Sequence, residues 1–384
     1  MIERTITNKI KATIKTFPLV TLTGSRQCGK STLLKYIFPD WKYVSFEDLD
    51  IREMASKDPR YFLSLYPEKA VFDEVQQVPE LFPYIQTHVD KLNKPGIYIL
   101  SGSQNFLLME KISQSLAGRT ALLTLAPFSI RELKPAGLLP QNLNEYIFKG
   151  SYPRIYDQNP DPVDFYPAYI KTYIERDVRL LRNITSLPDF HRFLKLCAGR
   201  CGQILNVTEL SNQAELSLVT TRSWLSVLET SHIIFYLRPY HKNYGKRLIK
   251  SPKLYFYDTG LVSNLLGLEK KEQLETHFMR GSLFENLIIS EYMKKRFFEG
   301  KEPRAYYWRD SSGLEIDLVE EAPEGLNLYE IKSSATVKQN FFTNIEKFQS
   351  LAGTQVKHRN IIYGGTETYP EKDTTGGFIS WQDY

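Results

Sequence analysis

One stretch near the amino terminus constrains this chain more than any other: Phe17 to Thr32, FPLVTLTGSRQCGKST. Phe17 to Thr23 is a short apolar run with β-branched residues, which reads as a buried strand. Gly24-Ser25-Arg26-Gln27-Cys28-Gly29-Lys30-Ser31 then fits GxxxxGK(S/T) at every fixed position. The residues that follow, STLLKYIF, carry helical apolar spacing. Strand, glycine loop and helix make a backbone suited to phosphate. Gly24 and Gly29 let the chain bend so that its N–H groups converge on phosphate oxygens, and the helix presents its positive end. Lys30 is placed to reach the β- and γ-phosphates, and the Ser31 hydroxyl to ligate Mg²⁺. The expected ligands are therefore ATP and Mg²⁺, held by Gly24, Ser25, Arg26, Gln27, Cys28, Gly29, Lys30, Ser31 and Thr32. A strand-to-helix turn with a surface lysine is the plainer alternative; pattern and context together weigh against it.

Nucleotide chemistry needs a second element for the metal and the water. KAVFDEVQQVP places Ala70-Val71-Phe72 as a short buried strand ending in Asp73-Glu74. Asp73 is the expected holder of the Mg²⁺ shell, and Glu74 the group that polarises the attacking water. Such a pair is often only solvated; downstream of a phosphate loop it gains a role. A third strand, GIYILSGSQN, ends in small polar residues. Ser101, Ser103 or Gln104 is placed there to sense the γ-phosphate, and Ser103 is the catalytic candidate. Arg119, in QSLAGRTALLTLAPFS, precedes another β-rich run. It can stabilise transition-state charge on a neighbouring subunit's nucleotide, or it can form a surface salt bridge. Both readings stand on sequence alone.

Taken together, TGSRQCGKST, FDEVQ, LSGSQN and LAGRTALLTLAPFS resemble a prokaryotic AAA+ ATPase family whose ATPase domain is fused to a C-terminal domain of unknown function. Order and spacing agree from Phe17 to about Leu133. GSYPRIY (Gly150 to Tyr156), YIERDV (Tyr173 to Val178), YFYDTGL (Tyr255 to Leu261) and GSLFENLI (Gly281 to Ile288) also resemble it. The resemblance thus covers nearly the whole chain. It implies an ATPase that works as a homo-oligomer, a hexameric ring, with sites at subunit interfaces.

A chain of 384 residues is too long for one compact core. The expected fold class is α/β, in four segments: a P-loop AAA+ core over 1–135, a helical lid-like segment over 136–190, a winged-helix-like domain over 191–265 and a nuclease-like domain over 266–384. The residues are 42% hydrophobic and 24% charged, an ordinary soluble balance. A net charge of +5 permits a polyanionic partner without requiring one. No apolar run approaches the ~20 residues that span a bilayer. The opening MIERTITNKIKATIKTF lacks the apolar core and cleavage site of a secretion signal, so no membrane partner is expected and the cytoplasm is the expected location. Cys28, Cys197 and Cys201 make no disulfide framework and read as core residues.

Lys134 to Pro140 is loop-rich and marks a boundary; Leu143 to Arg182 is helical in pattern and ends in Glu175-Arg176-Asp177, where Arg176 is expected to pair with its acidic neighbours. From Leu205 to Tyr240 two helical patterns precede a strand pair, the order of a winged helix. Thr220, Thr221 and Arg222 fall near the start of the second helix, where base or phosphate contacts arise. The turn of the pair holds His241, Lys242, Lys246, Arg247 and Lys250, a basic tip suited to a DNA backbone. Winged helices also serve as protein-binding modules, so DNA contact has a competing reading.

The last segment changes character. GSLFENLIISEYMKKRF is an amphipathic helix carrying Glu285; GLEIDLVEE is a strand with Asp317 in its middle; LYEIKSS is a strand with Glu330 and Lys332 on one face. An acid, an acid, then E-x-K resembles the PD-(D/E)xK restriction-endonuclease-like core, with Ile316 in place of the motif's proline. Glu285, Asp317 and Glu330 are the expected metal ligands, with Lys332 orienting water or steadying charge on the phosphorane. The fold also persists in proteins that bind nucleic acid without cutting it. The function expected from these segments is ATP-driven binding and remodelling or translocation of DNA, at forks or junctions. The alternatives are a nucleotide-gated switch in signalling or defence, and an ATP-dependent endonuclease.

Overall fold

The structure is a computed structural model describing residues 2–103, 114–174, 186–241, 249–370 and 376–384. Strands β1 (Leu19–Thr23), β2 (Lys42–Ser45), β3 (Ala70–Asp73), β4 (Tyr98–Ser101) and β5 (Thr120–Thr124) form a parallel sheet in the order β2-β3-β4-β1-β5. Their apolar runs fill two cores by simple alternation. Phe72, Tyr98 and Leu100 face one layer with Phe46, Phe62 and Ile85. Val71, Ile99, Val20 and Leu22 face the other with Ile6, Ile10, Leu33 and Leu34. Helices α1 (Thr7–Thr13) and α2 (Lys30–Ile37) supply that second layer; α3 (Pro59–Leu65) and α4 (Leu81–Leu92) supply the first. Because the strands are parallel, their carboxyl ends meet at one edge, where ligands bind in open α/β sheets. The register sets Asp73 beside Ser101, and Ser101 beside Leu22.

The remaining strands are β6 (Ile234–Pro239), β7 (Lys253–Phe256), β8 (Ala305–Arg309), β9 (Glu315–Ala322), β10 (Gly325–Lys332), β11 (Val356–Tyr363), β12 (Tyr369–Pro370) and β13 (Gly376–Ser380). They build one sheet in the order β12-β13-β11-β10-β9-β8-β6-β7. Three helices, Leu187–Ala198, Val207–Ala214 and Leu218–Thr230, precede the antiparallel β6–β7 pair. The sequence reading had the last two of these helices and the strand pair, but not the helix Leu187–Ala198. The expected boundary at 265/266 does not separate the strands before it from those after it, however. β6 pairs with β8 through Arg238↔Tyr306 and Pro239↔Tyr307, and one core runs from Phe128 through Trp224 and Tyr255 to Trp381.

The long helix Arg280–Phe298 joins everything: its middle packs in this shared core, while Phe298 enters the core under α1 and α2. The helical pattern of Leu143 onward breaks into Leu143–Lys149, Pro153–Asp157, Pro162–Tyr169 and a π-turn at Ile170–Ile174, with Gly150 and two prolines as the breakers. Glu175, Arg176 and Asp177 lie outside the described residues. All three cysteines are free and buried, as read. No helix among the described residues is long and apolar enough to cross a membrane.

Candidate functional site

The glycine loop between β1 and α2 is shaped by two residues without alternatives. Gly24 has φ 147°, and a Cβ there would lie 2.0 Å from the Leu125 carbonyl oxygen. Gly29 has φ 95° and stands immediately before α2. Lys30 is 6% exposed; its Nζ donates to the carbonyl oxygens of Gly24 (2.9 Å) and Ser25 (3.1 Å). Cys28 points its thiol into the core, so it offers a ligand only main-chain groups. Thr32 is exposed at the start of the helix.

Asp73 ends β3 and is 4% exposed. Ser31 donates to its Oδ2 at 2.7 Å, Tyr43 donates to the same oxygen, and Ser101 donates to Oδ1. Burial and the Asp73 carboxylate push the Tyr43 phenol well above the usual tyrosine range, so it remains a donor. Ser31 and Asp73 are hard oxygen donors in contact, a set that fits Mg²⁺. Glu74 adopts the left-handed region (φ 54°, ψ 42°), uncommon for a residue with a side chain. The Gln76 amide donates to the Glu74 carboxylate and, at 3.3 Å, to Ser103 Oγ. Ser103 thus reaches Glu74 through Gln76, while Ser101 serves Asp73. Gln104 lies outside the described residues.

Lys30, Ser31, Thr32, Asp73 and Glu74 line a cavity of 1320 Å³. Arg26 and Gln27 line it too, and Arg131, Arg154 and Tyr173 face it from beyond the sheet. Behind the loop sits Arg4, 5% exposed. Its guanidinium donates to Cys28 O (2.8 Å), Ala126 O (2.7 Å) and Glu132 Oε1 (3.0 Å), and lies over the Phe128 ring. Glu132 accepts from the Ser129 N–H, and the next N–H, of Ile130, donates to Glu291 of the long helix at 2.8 Å. Lys294 pairs with Glu291 and donates to Phe128 O at 2.9 Å. Buried polar contacts therefore run from the phosphate loop to the long helix.

Arg119 is paired within its own chain. It makes a two-point ion pair with Asp90 (2.6 and 2.8 Å), and it precedes β5, at the opposite end of the sheet from its own phosphate loop.

In the C-terminal region, Glu285, Asp317, Glu330 and Lys332 come together, and two residues join them that the sequence reading missed: Lys253 of β7 and Glu315 of β9. Lys253 is 3% exposed; its Nζ stands 2.8 Å from Glu285 Oε1 and 2.5 Å from Glu315 Oε1. Burial alone would lower this ammonium, but Glu285, Glu315 and Asp317 outweigh it and hold it above the usual lysine range. Removal from solvent, then the charges of Glu330 and Glu285, push Asp317 well above the usual carboxylate range. Lys332 pairs with Glu330 at 2.6 Å. Among the described residues no three His, Cys, Asp or Glu side chains converge to hold a metal ion.

One nucleic-acid candidate is corrected. Thr221 is fully buried, because it shares a helix face with Leu225 and Leu228, at the i, i+4, i+7 spacing of the core stripe. It has no surface for DNA. Arg222 is exposed and Thr220 half-exposed. Lys242, Lys246 and Arg247 lie outside the described residues.

Residues 16–134 match the family model of an AAA domain, residues 140–272 that of a domain of unknown function (DUF8612), and residues 280–384 that of another (DUF4143). An uncharacterized protein of Mycobacterium tuberculosis is 28% identical over 371 residues, covering 95% of this chain and 81% of its own length. An uncharacterized protein of Methanocaldococcus jannaschii is 24% identical over 322 residues, covering 70% of this chain and 66% of its own. Among solved structures, the Walker-type ATPase of Pyrococcus abyssi is 15% identical with a TM-score of 0.48, covering 69% of this chain and 96% of that one. AMPPCP-bound DnaA from Aquifex aeolicus is 14% identical with a TM-score of 0.30, covering 58% and 85%. The AAA-domain match contains every residue of the phosphate site from Gly24 to Ser103, so the segment that bears the site is similar to AAA ATPase domains.

Proposed function

We propose that this protein hydrolyses ATP at the carboxyl edge of its parallel sheet and uses the cycle to grip and remodel DNA through its middle and C-terminal regions. The observation that carries the ATPase reading is the meeting of Lys30, Ser31, Asp73 and Glu74 on one cavity. Lys30 exchanges two loop carbonyls for phosphate oxygens. The amides of the glycine loop and the start of α2 bind the triphosphate without side-chain charge. Ser31 and Asp73 would hold Mg²⁺, which supplies charge neutralisation on the phosphate oxygens. Glu74, oriented by Gln76, accepts the proton of the attacking water. Ser103, on the far side of the Gln76 amide, links that base to the end of β4.

The contacts Arg4–Glu132 and Ile130–Glu291–Lys294 support transmission of the nucleotide state into the long helix. DNA is proposed as the partner on the strength of the helices and hairpin of the middle segment, the exposed Arg222, and the basic residues of the sequence between the two hairpin strands. A homo-oligomeric ring is proposed as the working assembly; in it Arg119 acts on a neighbour's nucleotide only by leaving Asp90.

The test is the ATPase rate with and without duplex, single-stranded and branched DNA, beside Glu74→Gln. The substitution is expected to lower kcat about 10²–10⁴-fold with ATP binding retained. An unchanged kcat sinks the assignment of the base. A wild-type rate indifferent to every DNA form turns the reading towards a nucleotide-gated switch.

A further inference from the structure

A metal-dependent nuclease of the type expected from the sequence requires its acidic side chains to be open to one divalent ion. In this chain they are not. Lys253 Nζ stands between Glu285 and Glu315, 2.8 and 2.5 Å from a carboxylate oxygen of each. Tyr255 donates to the same oxygen of Glu285. Asp317 Oδ2 accepts the Ile331 N–H at 2.8 Å. Glu330 Oε1 accepts from Lys332 at 2.6 Å and from Asn344 at 3.3 Å. Among the described residues Glu330 Oε2 is buried with no partner, and no three acidic side chains converge to hold a metal ion.

We infer that Lys253 is the resident cation of this cluster: its ammonium takes the place of the divalent ion, so the C-terminal region does not cut phosphodiesters. The chemistry follows from the donor set. An ammonium meets carboxylates with directed N–H groups and repels a second cation. It neither acidifies a bound water nor accepts phosphate oxygens into a coordination shell, the two services a metal gives in phosphodiester cleavage. Its position explains a second feature. Lys253 belongs to β7, Glu285 to the long helix and Glu315 to β9. The ion cluster therefore pins the hairpin of the middle segment to the helix and sheet of the C-terminal segment. The residues do not fit a metal, and no metal step is assigned to them. This inference is independent of the ATPase reading.

The test titrates Mn²⁺ into the nucleotide-free full-length chain, with free ion followed by electron paramagnetic resonance. Wild type is expected to bind no Mn²⁺ that Glu285→Gln abolishes. Lys253→Met is expected to gain one equivalent per chain, and the double variant with Glu285→Gln to lose it again. A Glu285-dependent equivalent already present in wild type overturns the inference, as does a folded Lys253→Met that gains none. Should Lys253→Met not fold, wild type decides alone: plasmid DNA with Mg²⁺ or Mn²⁺ is expected to stay intact, and nicking that disappears in Glu330→Gln overturns the inference. ATPase rates on the same samples separate a failure here from a failure at the phosphate site.

Discussion

Two of the buried lysines in this chain, Lys30 and Lys253, are put to opposite uses. Lys30 is held by the carbonyls of Gly24 and Ser25, neutral partners that an incoming phosphate can replace. Its acidic neighbour Asp73 is held by three hydroxyls, of Ser31, Tyr43 and Ser101, so its charge remains available to a cation. Lys253 is held by the carboxylates of Glu285 and Glu315, and Arg309 also pairs with Glu315 at 3.1 Å, so each charge meets an opposite charge inside the protein. The same residue types give a site that recruits ions in one place and one that excludes them in the other. What differs is whether each charge meets a dipole or an opposite charge. A net charge balanced only by dipoles is a receptor; a neutralised pair is a joint.

Stability measurements should break this comparison if it is wrong. Lys253→Met leaves the largely buried Glu285 carboxylate without its cation and is expected to cost about 3–5 kcal/mol in urea unfolding. Lys30→Met removes hydrogen bonds to carbonyls and is expected to cost about 1 kcal/mol. Equal losses at the two sites would contradict the distinction.

A third buried base sharpens it. His232 has neither kind of partner: both ring nitrogens lack hydrogen bonds among the described residues, and the ring stacks on Tyr257 at 5.4 Å. Burial pushes its pKa down to about 4. The folded state thus refuses a proton that the unfolded chain accepts below about pH 6.5. Stability conferred by the neutral ring is complete above that pH and is lost as pH falls towards 4, by about 3 kcal/mol in all. Urea melts across this range should show the slope, and His232→Asn, which tolerates the left-handed backbone of this position (φ 55°), should flatten it.

The smallest effect concerns orientation. Gln76→Ala frees the Glu74 carboxylate and is expected to lower kcat about tenfold with KM unchanged. Asn344→Ala, which releases Glu330 in the neutralised cluster, is expected to leave the ATPase rate as it was. A KM effect at Gln76, or an ATPase loss at Asn344, would show that the two sites are not separate in the way described.

The phosphate loop was legible because its geometry is local: Gly24, Gly29, Lys30 and Ser31 lie within eight residues and each carries a steric or chemical requirement visible in the letters. Asp73-Glu74 was legible as an acidic end to an apolar strand. Tyr43 was not, although period-two alternation along β2 puts it on the face of Ser45, whose register partner is Asp73. Arg4 had no local signal at all, since Glu132 and Ala126 lie 128 and 122 residues away. Lys253 was hidden in the same way, since its partners Glu285 and Glu315 come from a helix and a strand that fold against it. Thr221 failed for a phase reason, because a recognition helix and a core helix share one period and differ only in which stripe is buried.

The central claim is that a triphosphate with magnesium binds through Lys30 and the amides of the glycine loop. Calorimetric titration of Mg-ATP into the purified chain tests it most directly. One equivalent per chain, absent in Lys30→Ala, is the predicted result; no heat of binding, or an isotherm that Lys30→Ala leaves unchanged, would contradict it.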